Sequence, residues 1–352
     1  MAFAVPGSFV MPAALYRICR AAANLGGRTM ELALTIFLFL VGMVLTIKGG
    51  DFFVDASSWI AERSGIPKLI IGATIVSLAT TLPEMLVSVM AATQGKVDMS
   101  IGNAVGSVTA NLGLIMALAV LCMPGVIRRS DYLLKSILML AASVITVLCG
   151  FTGSVSVAMC AALLVIFVVF LWENVREARK AMHLGPQQPD ADAAAAETAG
   201  KNVVLLNIVK FIGGAAGIVL GAQLLVDNGS TLARLAGISE RVIGVTLVAI
   251  GTSLPELITT ITSIAKKQSE LSVGNILGAN ILDLTLIMPL SSLISGKPLP
   301  VSPTMAQIDL PACLLVGLIA TIPALAGKRF ARWQGVVLLV VYGGYVVLTC
   351  TQ

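Results

Sequence analysis

Histidine and charged residues are scarce in this chain of 352 residues. It contains a single histidine, His183, and only 12% of its residues are charged, whereas 57% are hydrophobic. One histidine in a polar segment excludes metal centres and proton relays that need several imidazoles. So low a charged fraction excludes an ordinary soluble domain. The net charge of +5 comes from short loop clusters, and no basic face indicates a nucleic acid partner.

The cysteines offer little chemistry either. The six cysteines are scattered mostly through apolar segments, and no two of them form a CxxC pair. Cysteines placed in this way behave as small hydrophobic side chains. The sequence therefore predicts neither a disulfide framework nor a thiolate metal site, and no cofactor is expected.

Long apolar runs dominate the chain instead. Each is long enough to cross a hydrocarbon layer of about 30 Å as a helix. We predict an all-α polytopic membrane protein with ten transmembrane helices, at residues 31–49, 66–93, 98–122, 133–149, 155–174, 203–226, 238–265, 271–294, 308–326 and 334–350.

These spans divide the chain into four parts. Residues 1–30 are an N-terminal extension, and residues 31–176 and 203–352 hold five spans each. Residues 177–202 are polar, rich in Ala and Pro, and without periodicity, which is typical of a linker. Lys and Arg are concentrated in the loops on the linker's side of the membrane, so the positive-inside rule makes the linker cytoplasmic. We expect the protein in a bacterial inner (plasma) membrane, with both ends of the ten-span core facing outward.

The two halves carry the same motif. Residues 72–84 read GATIVSLATTLPE and residues 244–256 read GVTLVAIGTSLPE, and a second block follows each, GNAVGSVTANLGLIM from Gly102 and GNILGANILDLTLIM from Gly274. The signatures span residues 72–116 and 244–288, and the offset is constant: 256 − 84 = 172 and 283 − 111 = 172. Five spans separate corresponding points, so the second copy enters the membrane inverted. Two inverted-topology five-helix repeats are a common plan of secondary transporters, with the substrate site near the midplane.

Each signature places a carboxylate, Glu84 or Glu256, inside an apolar span. Such a group costs roughly 2.5–3.5 kcal/mol on insertion scales, so a matched pair indicates function. The prolines at 83 and 255 remove a backbone donor, which can free carbonyls around Ser77–Thr80 and Ala249–Thr252 from the helical ladder. These carbonyls, the carboxylates and the hydroxyls of Thr80, Thr81, Thr252 and Ser253 form an all-oxygen donor set. Such a set suits Ca²⁺ or Na⁺.

The second block adds further candidates. Gly102, Gly106, Gly274 and Gly278 form a small-xxx-small pattern that lets helices approach closely. Ser107 and Asn111 share a helix face, and their equivalents in the second copy are Ala279 and Asp283. We expect Asn111 and Asp283 to contact the ions. Asn103 and Asn275 have two interpretations, an ion contact or a hydrogen bond to the backbone at a helix start.

At these residues the chain resembles the Ca²⁺/cation antiporter superfamily, in particular the prokaryotic sodium/calcium exchangers. The resemblance covers residues 31–350 and implies a secondary antiporter that carries Ca²⁺ and Na⁺. It implies Glu84, Glu256, Thr80 and Thr252 as Ca²⁺ ligands. It implies sodium sites drawn from Thr81, Ser253, Ser107, Asn111, Asp283 and the carbonyl of Ala249.

The chain departs from the family pattern at three places. Ala79 and Thr81 replace a Gly and a Ser, Ala279 stands where a Ser is frequent, and Asp283 faces Asn111. These departures leave the Na⁺ stoichiometry, the dependence on K⁺ and the preference for Ca²⁺ open.

Three functions are alternatives to sodium/calcium exchange. A proton/Ca²⁺ exchanger could use the same glutamates, but it would not need the hydroxyl pairs. A cation channel could use them as a filter, and an intramembrane hydrolase would need a catalytic pair that the sequence lacks. The expected partners are the transported cations and the lipid bilayer. One chain holds both halves of the site, so a monomer is sufficient for transport, while the oligomeric state stays open.

Overall fold

The membrane-spanning part of the chain is helical wherever the structure describes it. The computed structural model describes residues 13–93, 95, 97–125, 129–184, 201–236, 251, 253–296 and 298–351. Within these residues the helices are α1 (Ala13–Ser64), α2 (Lys68–Thr93), α3 (Val97–Cys122), α4 (Arg129–Thr152), α5 (Val157–Leu184), α6 (Lys201–Leu235), α7 (Leu254–Ala265), α8 (Ser269–Ser295), α9 (Met305–Gly327) and α10 (Arg332–Thr351).

Nine of these described helices are long and apolar enough to span a membrane, and α7 is a shorter apolar helix. This confirms the polytopic helical class. The seventh predicted span, 238–265, is described only at Gly251 and from Ser253 onward. The first helix is much longer than predicted, because it runs from Ala13 and so includes part of the N-terminal extension. The linker at 177–202 is described only up to Leu184, where α5 ends, and from Lys201, where α6 begins.

Helices α1 and α6 meet through glycines. A Cβ on Gly49 would lie 2.8 Å from the carbonyl oxygen of Gly214, and one on Gly42 would lie 2.9 Å from that of Gly221. The two backbones therefore touch with little side-chain volume between them. Lys266, just beyond α7, reaches α1 as well: its Nζ lies 2.8 Å from Oδ1 of Asp55.

Helix α8 packs equally closely against α2. A Cβ on Gly278 would lie 2.5 Å from both the carbonyl oxygen of Ala73 and Oγ of Ser77, and a Cβ on Gly274 would overlap the carbonyl oxygen of Leu69. The predicted glycine contact is thus present in the second copy. In the first copy, among the described residues, a Cβ on Gly102 would meet only Cε of Met305, at 3.7 Å, and one on Gly106 would meet no atom within 4 Å.

Three π-helical turns interrupt the signature helices. They cover Gly72–Val76 in α2, Asn111–Met116 in α3 and Asp283–Ile287 in α8. Such turns insert a residue into the helical repeat and are frequent at functional sites. The second and third begin at positions related by the 172-residue offset (283 − 111 = 172). In the first copy, Pro83 was expected to distort the helix instead. Ser77–Thr93 is nevertheless a continuous α-helix with that proline inside it.

The core lies among the long helices of both halves. Leu112, Met139, Leu163, Ile281 and Val316 come from α3, α4, α5, α8 and α9, and all are fully buried in one cluster. Two short strands, β1 (Ser154–Val155) and β2 (Leu299–Pro300), pair antiparallel and join a loop of the first half to one of the second. The core that surrounds the signature helices is therefore shared between the two halves.

A buried ion pair links α4 to α5. Nζ of Lys135 lies 3.1 Å from Oε2 of Glu177, and the lysine side chain is only 3% exposed while the glutamate is 23% exposed. A pair this far from solvent is costly to disrupt on one side only.

Candidate functional site

Three carboxylates lie buried between the halves. Glu84 in α2 and Asp283 in α8 are each 1% exposed, and Glu256 in the first turn of α7 is fully buried. Glu84 lies close enough to both Glu256 and Asp283 for their charges to repel. Residues 69–95 and 268–296 contain no Lys or Arg to compensate them. A cluster of this kind is stable only with bound cations or protons.

Hydroxyl groups of α2 reach across to the second half. Oγ1 of Thr81 donates to Oε1 of Glu256 at 3.4 Å, and Oγ1 of Thr80 donates to Oδ1 of Asn275 at 3.2 Å. Both threonines are buried, at 3% exposure. Ser77, one turn earlier, is fully buried and donates to the carbonyl of Thr74. The predicted hydroxyl ligands of the first copy therefore surround the glutamate of the second.

Asn111 opens the π-turn of α3 and also reaches the other half. Its Nδ2 donates to Oδ1 of Asn280 at 3.1 Å, and its own Oδ1 is buried. Ser107, one turn earlier on α3, is 2% exposed. The structure thus brings the predicted residues of α3 against the signature helix α8.

Several oxygens of this group have no hydrogen-bond partner among the described residues. They are Oε1 and Oε2 of Glu84, Oε2 of Glu256, Oδ1 and Oδ2 of Asp283, Oδ1 of Asn111, and Oγ of Ser107 and Ser253. Buried polar atoms are normally paired, since an unpaired one costs about 1–3 kcal/mol. Buried oxygens without a partner are of the donor type that hard cations prefer.

Ser253 precedes α7 directly, and the proline of the second signature lies in the first turn of that helix. Glu256 therefore sits at a helix N-terminus inside the apolar region. The remaining predicted ligands of this copy, Thr252 and the carbonyl of Ala249, lie outside the described residues. Among the described part of the chain, no three Asp, Glu, His or Cys side chains are arranged as one metal centre. A cation here would be held by carboxylates together with neutral oxygens.

Asn103 takes a role that the sequence analysis left between two interpretations. Its Nδ2 donates to the backbone carbonyl of Glu84 at 3.1 Å and to Oγ of Ser88 at 2.9 Å. The acceptor is a carbonyl of the neighbouring helix α2, that of Glu84, and so differs from the helix-start contact expected for Asn103. Asn280 was not predicted at all. Its position three residues before Asp283, on the same helical face, was the only signal in the sequence.

Comparison with known proteins identifies the family. The model of the family described as "Sodium/calcium exchanger protein" matches residues 34–175 and 206–351, one stretch in each half. The two stretches begin 172 residues apart (206 − 34), which is the offset of the signatures.

Two microbial relatives match along nearly their whole length. The chain is 30% identical over 352 residues to the sodium/calcium exchanger MaX1 of Methanosarcina acetivorans, covering 90% of this chain and 99% of that protein. It is 35% identical over 315 residues to the inner membrane protein YrbG of Escherichia coli, covering 88% and 94%. Among solved structures, the sodium-calcium exchanger NCX_Mj soaked with 2.5 mM Na⁺ and 0.1 mM Sr²⁺ superposes with a TM-score of 0.74 at 28% identity, covering 90% of this chain and 99% of that one. The chain belongs to the sodium/calcium exchanger family.

Proposed function

We propose that this chain is a secondary active antiporter that exchanges Ca²⁺ for Na⁺ by alternating access, at a midplane site between Glu84 and Glu256. One observation carries the proposal: the two glutamates are buried at matched positions, with three of their four carboxylate oxygens unpaired among the described residues. The exchangers among the relatives and solved structures support the identity of the ions.

The same geometry supports the proposed ligands that lie among the described residues, and the family resemblance supports the whole set. Ca²⁺ would be bound by Glu84, Glu256, Thr80 and Thr252. Na⁺ would be bound by Thr81, Ser253, Ser107, Asn111, Asp283 and the carbonyl of Ala249. The carbonyl of Ser77, a further predicted ligand, accepts a hydrogen bond from Oγ1 of Thr80 at 3.3 Å. The second copy contributes no hydroxyl at Ala279, where the first copy has Ser107.

Charge explains why the two ions would exclude each other. The carboxylates repel one another at membrane depth, so either one Ca²⁺ or several Na⁺ can neutralise them, but the overlapping sites cannot hold both sets. An unloaded site would carry uncompensated buried charge, which disfavours a return without ions. Coupling is thus a consequence of electrostatics at one site.

The motion would belong to α1 and α6. Gly42, Gly49, Gly214 and Gly221 pack these two helices against each other, so the pair would move as one unit, whereas hydrogen bonds across the halves join the signature helices. Sliding of the glycine-faced pair past a fixed bundle would open the site to one side and then the other. We place the linker in the cytoplasm and the protein in a bacterial inner membrane. The name of the relative, inner membrane protein YrbG, supports the choice of membrane.

Proteoliposomes test the proposal. Purified protein should take up Ca²⁺ against an imposed Na⁺ gradient, and Glu84→Gln or Glu256→Gln should each reduce that uptake at least about a hundredfold. Removing one partner of a buried charge cluster costs about 3–5 kcal/mol, and 1.4 kcal/mol is tenfold. Glu270→Gln is the matched control, since this glutamate is exposed at the start of α8.

The same vesicles separate exchange from its rivals. Uptake that follows a proton gradient and ignores Na⁺ would refute sodium coupling and favour a proton/Ca²⁺ exchanger. Flux that needs no counter-ion and does not saturate would favour a channel. Retained exchange in either glutamine variant would remove that glutamate from the site.

A further inference from the structure

A row of three buried side chains runs from α4 through α8 to α3. Nδ2 of Asn111 donates to Oδ1 of Asn280 at 3.1 Å, and Nδ2 of Asn280 points to Sδ of Met139 at 3.8 Å. All three side chains are fully buried. Neither Asn280 nor Met139 has a place in the ligand set proposed above.

The direction of this row is set at its far end. A thioether sulfur has no proton and can only accept, so Met139 must face the NH₂ end of the Asn280 amide. That leaves Oδ1 of Asn280 towards α3, where it can only accept. Asn111 must then present its own NH₂ group to Asn280. Its carbonyl oxygen, Oδ1, is left buried and without a partner among the described residues.

We propose that Asn280 is a positioning residue that fixes which end of the Asn111 amide faces the cations. This inference rests on the proposed function, because it takes Asn111 as an ion ligand. An amide has one end that attracts a cation and one that repels it. Without a fixed acceptor behind it, Asn111 can rotate by half a turn and present its NH₂ group to the ion.

The asymmetry of the two copies supports this role. The counterpart of Asn111 is Asp283, a carboxylate whose two oxygens are both acceptors, so its rotation changes nothing. The counterpart of Asn280 at the 172-residue offset is Val108, which has no polar group. Asn111, an amide that has to be oriented, therefore has a polar partner in Asn280. At the position equivalent to Asn280, the first copy has the apolar residue Val108.

The test is a double-substitution cycle read by Na⁺ binding. The rise in thermal stability of the purified protein with Na⁺ concentration gives an apparent binding constant without requiring transport. Asn280→Val should weaken Na⁺ binding about fivefold, the worth of one net hydrogen bond. In the Asn111→Asp background the same substitution should not weaken Na⁺ binding, because a carboxylate needs no orientation and would face the acceptor oxygen of Asn280. Asn174→Val, which removes a buried amide from α5, is the matched control and should leave Na⁺ binding unchanged.

Two results would overturn the inference. One is unchanged Na⁺ binding in Asn280→Val. The other is that Asn280→Val weakens Na⁺ binding equally whether position 111 is Asn or Asp, which would indicate a packing role for Asn280. If Asn280→Val does not accumulate, Met139→Leu removes the acceptor that orients Asn280 at nearly constant volume. It should weaken Na⁺ binding only when position 111 is Asn, and no weakening would refute the proposal. Ca²⁺ uptake by the unsubstituted protein in the same preparation tests the proposed function separately.

Discussion

The contact between α8 and α2 makes Gly278→Ala a sharp test of how the site is assembled. The new Cβ would lie 2.5 Å from the carbonyl oxygen of Ala73 and 2.7 Å from its Cα. Ordinary contacts of this kind are about 3.5 Å or longer, so the helices must separate by up to about 1 Å. Backbone atoms cannot relieve the clash by changing rotamer. Overpacking of this kind costs about 1–3 kcal/mol.

The displacement should reach the ions. Thr80 and Asn275 are joined across this contact at 3.2 Å, and Ser77 lies directly against the added methyl group. A shift of about 1 Å in a positioned group can cost about a hundredfold in rate. We therefore expect Gly278→Ala to lower the thermal midpoint and to reduce Na⁺-driven Ca²⁺ uptake by tenfold or more.

The control is the same substitution at Gly344 in α10. Among the described residues, no heavy atom beyond the backbone of its own helix lies within 4 Å of a Cβ built there, so Gly344→Ala should leave uptake unchanged and stability equal or slightly higher. Thermal unfolding in detergent and vesicle uptake measure both quantities. If the two variants behave alike, the close approach of α8 and α2 does not position the site, and the packing argument is wrong.

Two further predictions concern ion pairs. Lys266→Met removes the contact with Asp55 on α1. Since an exposed ion pair is worth at most about 1 kcal/mol, this substitution should shift the half-saturating Ca²⁺ concentration by up to about fivefold. Lys267 has no ion pair among the described residues, so an equal shift in Lys267→Met would contradict this prediction. In the ion pair between α4 and α5, Glu177→Gln should lower the thermal midpoint more than Lys135→Met does. The reason is that Lys135, the more deeply buried of the two charges, would lose the carboxylate of Glu177. The reverse order in thermal unfolding would refute that reasoning.

The spans and the paired carboxylates could be predicted from sequence because both are local properties. A run of apolar residues determines a span by its length, and a glutamate within it is conspicuous wherever the chain folds. The identity of the family followed from the same motifs. These features depend on composition along the chain and not on how the helices pack.

The features that escaped prediction depend on packing. The π-turns at Asn111 and Asp283 differ from α-helix by one residue per turn, and neighbouring helices decide whether that residue is accommodated. Pro83 predicts a break, yet the helix continues through it, because a helix flanked by others tolerates a missing donor. Asn280 matters only through contacts with α3 and α4, which no spacing within α8 reveals.

The hydrogen bonds of the site also say how the two halves depend on each other. Three of them, Thr80 to Asn275, Thr81 to Glu256 and Asn111 to Asn280, each join one half to the other. A half expressed alone would therefore carry a glutamate with no surroundings to hold a cation. The linker, in turn, contributes proximity: it raises the effective concentration of one half around the other. We therefore expect that the two halves, produced as separate polypeptides, can assemble the same site.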